Sequence, residues 1–145
     1  MPLFYYFMKE NMDKLTPKSI QESLKSKNLK VTPQRLAILT EIAKAGHISV
    51  DDIYQKIKNV FPSISLATVY KNINSMKDVD ILYEIHTQDS KPKYEIRKQS
   101  HAHFICQICN FVEDIDINKE DFKNYGNFNQ VDLYLYGICD KCKNK

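Results

Sequence analysis

The sequence has no tryptophan, little glycine and no long apolar run. Its 145 residues include three glycines and five prolines and no low-complexity segment, so the chain is neither a flexible linker nor a disordered tail. A membrane span needs about 20 consecutive apolar residues, and no stretch approaches that length. The apolar residues 1–8 have no basic region before them and are too short for a signal peptide, so we interpret residues 1–12 as a candidate flexible extension.

Cysteine is scarce as well, and all four cysteines fall into two pairs of the same spacing. The pairs are Cys106-Gln107-Ile108-Cys109 and Cys139-Asp140-Lys141-Cys142. Two thiolates of one Cys-x-x-Cys turn can face one ion, and a second such turn completes the four-sulfur shell that selects zinc. A disulfide or redox function would need an oxidising compartment, or a single pair beside a βαβ pattern, and neither is evident. The spacing therefore predicts structural Zn²⁺ on Cys106, Cys109, Cys139 and Cys142.

A second metal site is indicated by His101-Ala102-His103, just before the first cysteine pair. Residues two apart in a strand face the same side, so both imidazoles could bind one ion. Four sulfurs would leave the zinc no open position, so this ion would be a different one. Glu95 and Asp114 lie close in sequence, and a mixed nitrogen and oxygen shell suits iron, manganese or zinc. A His-x-His by itself is as readily a pair of exposed or hydrogen-bonded histidines, and that alternative stays open.

The net charge of +3 is unevenly distributed. Residues 1–97 contain 15 Lys and Arg against 11 Asp and Glu, whereas residues 98–145 contain 6 against 7. The first part is therefore the one suited to a polyanion, although a modest lysine excess is usually only a solvated surface.

The first part also contains repeated helix-start signals. Thr16-Pro17, Thr32-Pro33, Ser49 and Ser65 each place a capping side chain before an apolar periodicity. Four helices are expected, and their inward-facing residues are Ile20 and Leu24, then Leu36, Leu39, Ile42 and Ala43, then Ile53 and Ile57, and finally Leu66, Val69, Ile73 and Met76. The last helix carries a polar opposite face of hydrogen-bonding side chains, Thr68, Tyr70, Lys71, Asn72 and Ser75.

Strand patterns follow the helices. Residues 81–87 and 93–97 predict a hairpin, which together with the helices makes a winged helix-turn-helix. The alternative is an amphipathic helix without a nucleic-acid role. Strands are also predicted at 104–105, 111–117 and 132–138, in a part too small to bury much surface without a structural metal and a dimer interface. We therefore predict an α+β chain, with a winged-helix DNA-binding domain over 1–97 and a small α/β dimerisation and metal-binding domain over 98–145.

Taken together, these motifs resemble the ferric uptake regulator (Fur) superfamily. The resemblance runs from about Leu15 to Cys142 and rests on Lys30-Val31-Thr32-Pro33-Gln34-Arg35, His47-Ile48-Ser49-Val50-Asp51-Asp52-Ile53-Tyr54, Ala67-Thr68-Val69-Tyr70, His101-Ala102-His103 and the cysteine pairs. It implies a homodimeric, metal-dependent bacterial transcription factor that acts in the cytoplasm, binds double-stranded operator DNA, does not enter a membrane and is not an enzyme.

The resemblance also assigns roles to particular residues. A regulatory Fe²⁺ or Mn²⁺ would be bound by His47, Glu95, His101, His103 and Asp114, so that one ion joins the two predicted domains. DNA contacts would be made by Lys30, Arg35, Thr68, Tyr70, Lys71 and Asn72. His86 matches no ligand position and is expected to be exposed. Ala102 and Val131 stand where many iron-responsive members have an Asp and a His, so we expect two metal sites per chain.

The branch of the superfamily is indicated by fewer residues. Asp114 and Asn72 resemble the peroxide-sensing repressors of the PerR type, Glu95 resembles the iron sensors, and Lys71 matches neither. The balance favours a repressor that senses peroxide through iron-catalysed histidine oxidation; the alternative is an iron-responsive Fur-type repressor of iron uptake genes.

Two other classes of function compete with these. A hydrolytic or redox metalloenzyme would need an open coordination position and a substrate pocket, and no nucleophile or base motif accompanies the candidate ligands. A metal buffer or zinc-ribbon adaptor would leave the basic helical part without a role.

Overall fold

The computed structural model describes residues 16–97, 101–128 and 131–144. The predicted extension, residues 1–12, lies outside these ranges. The described residues form two compact units that divide at residue 97, except that the short segment Thr87–Lys91 groups with the second unit. None of the helices formed by the described residues is long and apolar enough to cross a bilayer.

The first unit consists of four helices and a small sheet. The helices are α1 (Pro17–Ser26), α2 (Pro33–Ala45), α3 (Val50–Ile57) and α4 (Leu66–Asp78), and the strands are β1 (Ile48–Ser49), β2 (Leu82–Ile85) and β3 (Lys93–Ile96). The sheet order is β1-β3-β2, with antiparallel pairing throughout. The hairpin after α4 is the predicted wing, so the winged-helix class is confirmed.

All four predicted helix starts are confirmed by their capping hydrogen bonds. The side chains of Thr16, Thr32, Ser49 and Ser65 each accept from the backbone N–H three residues later. These bonds satisfy donors that the first helical turn otherwise leaves unpaired, which is worth about 1 kcal/mol at each helix.

The core of this unit matches the predicted helical periodicity except at a few positions. Leu66 was expected inside but is 36% exposed, because it lies in the first turn of α4. Ile38 was not predicted, yet it is fully buried, and Leu36 and Ala43 are only partly buried. The reason is that α2 packs against α1, α3, α4 and β3, so its buried surface is wider than a single stripe.

The second unit contains a three-stranded sheet in the order β5-β4-β6, where β4 is His101–Cys106, β5 is Val112–Asp116 and β6 is Leu133–Gly137. A 3₁₀ helix, Lys119–Tyr125, and a short helix α5, Asp140–Lys143, complete the unit. The predicted strands are confirmed. The strands β4 and β5 are antiparallel, whereas β4 and β6 are parallel. A parallel pair needs a crossover connection, and the chain between β5 and β6 provides it.

Candidate metal centres and nucleic-acid interface

The four cysteines form one cluster. Cys106 ends β4, Cys109 follows in the next turn, and Cys139 and Cys142 flank the start of α5. Their sulfur atoms all lie within 4.8 Å of one another, and Cys109 Sγ is 3.7 Å from Cys139 Sγ. A tetrahedron with Zn–S bonds of about 2.3 Å has sulfur atoms about 3.8 Å apart. The cysteines are free thiols positioned to bind zinc.

Local backbone geometry brings the two cysteine turns together. Asn110 has a positive φ of 59° and donates its N–H to the Cys106 carbonyl, which closes the first turn. Gln107 N–H donates to the Gly137 carbonyl at 2.7 Å, joining that turn to the end of β6. A Cβ on Gly137 would lie 3.0 Å from the Phe104 ring, so the ring would have to shift by a few tenths of an ångström to admit a side chain there.

The thiols differ in their readiness to ionise. Backbone hydrogen bonds from Cys109 and Cys139 lower the pKa of Cys106 to about 6, and the Cys139 N–H lies 3.4 Å from its sulfur. Burial raises the pKa of Cys142 to about 12, and hydrogen bonds within the cluster add to this effect. Without a cation Cys106 is therefore the more readily ionised of these two thiols. A divalent ion would displace the remaining protons, which is how thiolate sites couple metal binding to pH.

A histidine and a glutamate face each other in the first unit. The pairing of Ile48 with Tyr94 places His47 opposite Glu95, and the distance from His47 Nε2 to Glu95 Oε2 is 3.2 Å. Glu95 is only 2% exposed. Ionised carboxylates are seldom buried this completely unless they are paired or bind a metal, so His47 and Glu95 are candidate metal ligands.

Two histidines and an aspartate meet in the second unit. His101 and His103 lie on one face of β4, as their spacing predicts, and Asp114 lies opposite His103 on β5. Asp114 Oδ1 is 3.3 Å from His101 Nε2 and 3.5 Å from His103 Nε2. Two imidazole nitrogens thus converge on one carboxylate oxygen, a donor set that fits Fe²⁺, Mn²⁺ or Zn²⁺.

The exposed face of α4 presents the side chains predicted to contact DNA. Tyr70 is 43% exposed, and Thr68 and Lys71 are exposed beside it. Some polar groups of this face are bonded within the helix, because Asn72 Nδ2 donates to the Thr68 carbonyl at 3.0 Å and Thr68 Oγ1 lies 2.9 Å from Ser65 Oγ. These bonds fix side-chain orientation while the Tyr70 ring and the Lys71 ammonium face outward.

The two predicted contacts before α4 are linked to each other. Arg35 Nη1 donates to the Lys30 carbonyl at 2.7 Å, and Lys30 itself is exposed. Arg35 Nε is buried and has no hydrogen-bond partner among the residues that the structure describes. Part of the guanidinium therefore supports the turn before α2. His86, expected outside the sites, is exposed.

One feature of the metal region was missed in the sequence. The Tyr134 ring stacks on the His103 ring, with centroids 5.6 Å apart, and the Tyr136 ring stacks on Tyr134 at 6.2 Å. Alternation along β6 places both tyrosines on one face, but it does not reveal that β6 pairs with β4. Only that pairing, in which His103 is the register partner of Tyr134, brings the rings to the histidines.

The comparison with known proteins identifies the family. Residues 26–132 match the ferric uptake regulator family. The chain belongs to that family. It is 34% identical over 131 residues to the peroxide-responsive repressor PerR of Staphylococcus saprophyticus, covering 85% of this chain and 88% of that protein.

Solved structures of the family have the same fold. The Helicobacter pylori ferric uptake regulator gives a TM-score of 0.75 at 26% identity, covering 88% of this chain and 94% of that one. The Campylobacter jejuni peroxide stress regulator gives a TM-score of 0.68 at 30% identity, covering 98% and 100%. The protein is thus a metal-responsive transcriptional regulator of the Fur family and not an enzyme, which excludes the metalloenzyme alternative.

Proposed function

We propose that this protein is a homodimeric repressor that binds operator DNA when iron or manganese occupies its regulatory site, and releases it when peroxide oxidises the iron-loaded form. The observation that carries the proposal is the convergence of His101 and His103 on the Asp114 carboxylate, 3.3 and 3.5 Å away. The identity to PerR proteins supports the peroxide branch.

The regulatory ion would be shared by both half-sites, with His47 and Glu95 from the first unit and His101, His103 and Asp114 from the second. Neither half-site alone supplies the five ligands. Together they offer three neutral imidazoles and two carboxylates, whose charge balances a divalent cation. A neutral assembly lowers the cost of burying the ion. Because one ion would hold both units in one relation, its loss would change that relation and thereby the affinity for DNA.

Ferrous iron held by these residues would supply the one-electron reduction of peroxide to a strong oxidant. The imidazole carbons of His47 and His101 would then be sites of oxidation. Addition of oxygen to a ring weakens that histidine as a ligand, so the shared ion no longer joins the units. Manganese would hold the same ligands without this oxidation.

The cysteine cluster would bind zinc permanently and stabilise the second unit. That unit exposes large apolar side chains, among them Leu135 at 51% and Ile138 at 52%, which a homodimer interface would cover. The winged-helix unit would bind DNA, with the exposed face of α4 reading bases and Lys30 contacting phosphate. Such a repressor acts in the cytoplasm, where the operator DNA is.

An iron-responsive Fur-type repressor of iron uptake genes is the second candidate, and Glu95 favours it. The two functions differ in how the DNA complex responds to oxidant. DNA binding by protein loaded with iron or with manganese, measured before and after peroxide in molar excess over the metal and without added thiol, tests the proposal. Release from DNA in the iron form alone is expected. An iron form that stays bound after peroxide would favour the iron-responsive function.

A further inference from the structure

Four aromatic rings follow one another through the second unit. The His101 and His103 rings meet edge to face with centroids 4.5 Å apart. Tyr134 stacks on His103 at 5.6 Å with an angle of 27° between the ring planes, and Tyr136 stacks on Tyr134 at 6.2 Å with 14°. Centroid separations of 4.5–7 Å are those of rings in direct contact. The described part of the chain thus contains a continuous series of rings that begins at two candidate metal ligands.

The backbone fixes this series. In the parallel pairing of β4 with β6, His103 is opposite Tyr134 and Ile105 is opposite Tyr136. Since strand residues two apart share a face, both tyrosines lie on the face that carries the histidines. Solvent exposure increases along the series, from 3% at His103 to 46% at Tyr136. The rings therefore connect the buried His103 with the protein surface.

Tyrosine adds a chemistry that the metal ligands lack. A phenol gives up one electron and one proton readily and is regenerated when it regains them, whereas oxygen added to an imidazole carbon stays there. We propose that Tyr134 competes with the ligand histidines for the oxidant formed at the regulatory site, and that Tyr136 carries the oxidising equivalent on to the surface. This inference rests on the peroxide-sensing function proposed above.

The proposed relay consumes one peroxide and two thiols. Ferrous iron held by the ligand residues would supply one electron to peroxide, which would give ferric iron, hydroxide and a hydroxyl radical. That radical takes a hydrogen atom from the Tyr134 hydroxyl to give water and a tyrosyl radical. Hydrogen-atom transfer from Tyr136 restores Tyr134 and moves the radical outward. A small thiol then reduces the Tyr136 radical by hydrogen-atom donation and becomes a thiyl radical. A second thiol gives one electron to the ferric iron and releases a proton, so the protein returns to its starting state.

The relay would set the dose at which the repressor leaves DNA. Each equivalent diverted to Tyr134 spares a histidine, so low doses of peroxide would leave the ligand set intact. Larger doses outrun the thiol supply, and the histidines then acquire oxygen irreversibly. In this scheme the tyrosines set the peroxide dose above which the histidines are oxidised, and they do not bind the metal.

The variant Tyr134→Phe tests the relay because it keeps the stacked ring and removes only the hydroxyl. Iron-loaded wild type and variant would each receive one equivalent of peroxide, and peptide mass spectrometry would measure the fraction of His47 and His101 that gains oxygen. If Tyr134 takes at least half of the oxidant, histidine oxidation rises about twofold or more in the variant. The matched control is Tyr125→Phe, since Tyr125 is 85% exposed and makes no ring contact with any described residue.

A second measurement detects the radical itself. A nitroso spin trap added with the peroxide should label Tyr134 or Tyr136 in the wild type, and the label should concentrate on Tyr134 in Tyr136→Phe. Unchanged Mn²⁺ affinity of Tyr134→Phe would show that the hydroxyl does not position His103.

The possible results distinguish a failure of the tyrosine relay from a failure of peroxide sensing. Equal histidine oxidation in wild type and Tyr134→Phe, with no trap adduct on either tyrosine, overturns the relay and leaves peroxide sensing intact. Unmodified histidines in both proteins, again without a tyrosine adduct, contradict peroxide sensing and the relay together. Adducts in the wild type with increased histidine oxidation in the variant support the relay.

Discussion

Cys109 Sγ and Cys139 Sγ lie 3.7 Å apart although the two cysteines are 30 positions apart in the sequence. One turn follows β4 and the other precedes α5, so a shared ion would close a long loop around the sheet of the second unit. Closing a loop of this length reduces the conformational entropy of the unfolded chain. The small unit thereby gains stability that its limited apolar core does not supply.

The variant Cys106→Ser should lose zinc and the folded dimer together. Structural zinc sites contribute apparent binding free energies of about 10–16 kcal/mol at neutral pH, which a unit of this size cannot replace by packing. Metal analysis together with size-exclusion chromatography would measure both properties. The opposite result, a zinc-free variant that stays a folded dimer and binds DNA, would show that the cysteines are not structural.

Stability of the first unit should fall at alkaline pH because of Tyr94. Its hydroxyl lies 3.3 Å from Glu84 Oε1, and burial together with the Glu84 charge raises the pKa of Tyr94 from 10.0 to about 12. An unfolded tyrosine ionises near pH 10, so the stabilising contribution of Tyr94 is intact below pH 10 and is lost as the pH rises to 12. The free energy of unfolding should drop by up to about 1.4 kcal/mol per pH unit in that window.

Denaturant unfolding of wild type and Tyr94→Phe at pH 9 and pH 11 would measure this difference. The variant should lack the additional alkaline drop, because it has no phenol to ionise. Parallel pH profiles of the two proteins would contradict the assignment to Tyr94.

Truncation of two apolar residues of similar size should change the free energy of unfolding by very different amounts. Ile38→Ala removes a side chain that is fully buried in α2, and we expect a loss of about 2–5 kcal/mol in the free energy of unfolding. Leu66→Ala removes a side chain that is 36% exposed, and a change below about 1 kcal/mol is expected. Thermal or denaturant unfolding compares them directly. A loss at Leu66 as large as that at Ile38 would mean that Leu66 is buried in the assembled protein.

Affinity for DNA should respond differently to substitution of a phosphate-contacting residue and of a base-contacting residue. Lys30→Ala should weaken binding to every duplex and reduce the slope of affinity against salt by about 1, whereas Tyr70→Ala should mainly lose preference for the operator. Affinities for operator and random duplexes at several salt concentrations would measure both effects, with Lys143→Ala in the second unit as the charge-matched control. Equal losses on both duplexes for both variants would show that α4 does not read sequence.

The helices of the first unit were predictable because their signals are local. A capping side chain and a first-turn proline act within three or four residues, so Thr16 and Thr32 mark helix starts without knowledge of the fold. Burial at single positions was less predictable. Whether Leu36 or Ile38 faces the core depends on how many elements surround α2, and periodicity along one helix does not contain that information.

In the candidate metal sites, too, local features were predictable and long-range ones were not. Cysteine spacing and the His-x-His are local patterns, and the cysteines do cluster as their spacing predicts. The stacking of Tyr134 on His103 depends on the parallel pairing of β4 with β6, which are distant in sequence and joined by a crossover. No residue pattern in either strand predicts that the two strands pair.

The proposed sensing reaction requires peroxide to act through iron bound by the histidine and carboxylate ligands. Mass spectrometry of iron-loaded and manganese-loaded protein after peroxide, with operator binding measured on the same samples, tests it most directly. We predict that only the iron form gains oxygen on His47 or His101, and that its loss of DNA binding increases with the modified fraction. Unmodified histidines with undiminished DNA binding in the iron form would contradict peroxide sensing.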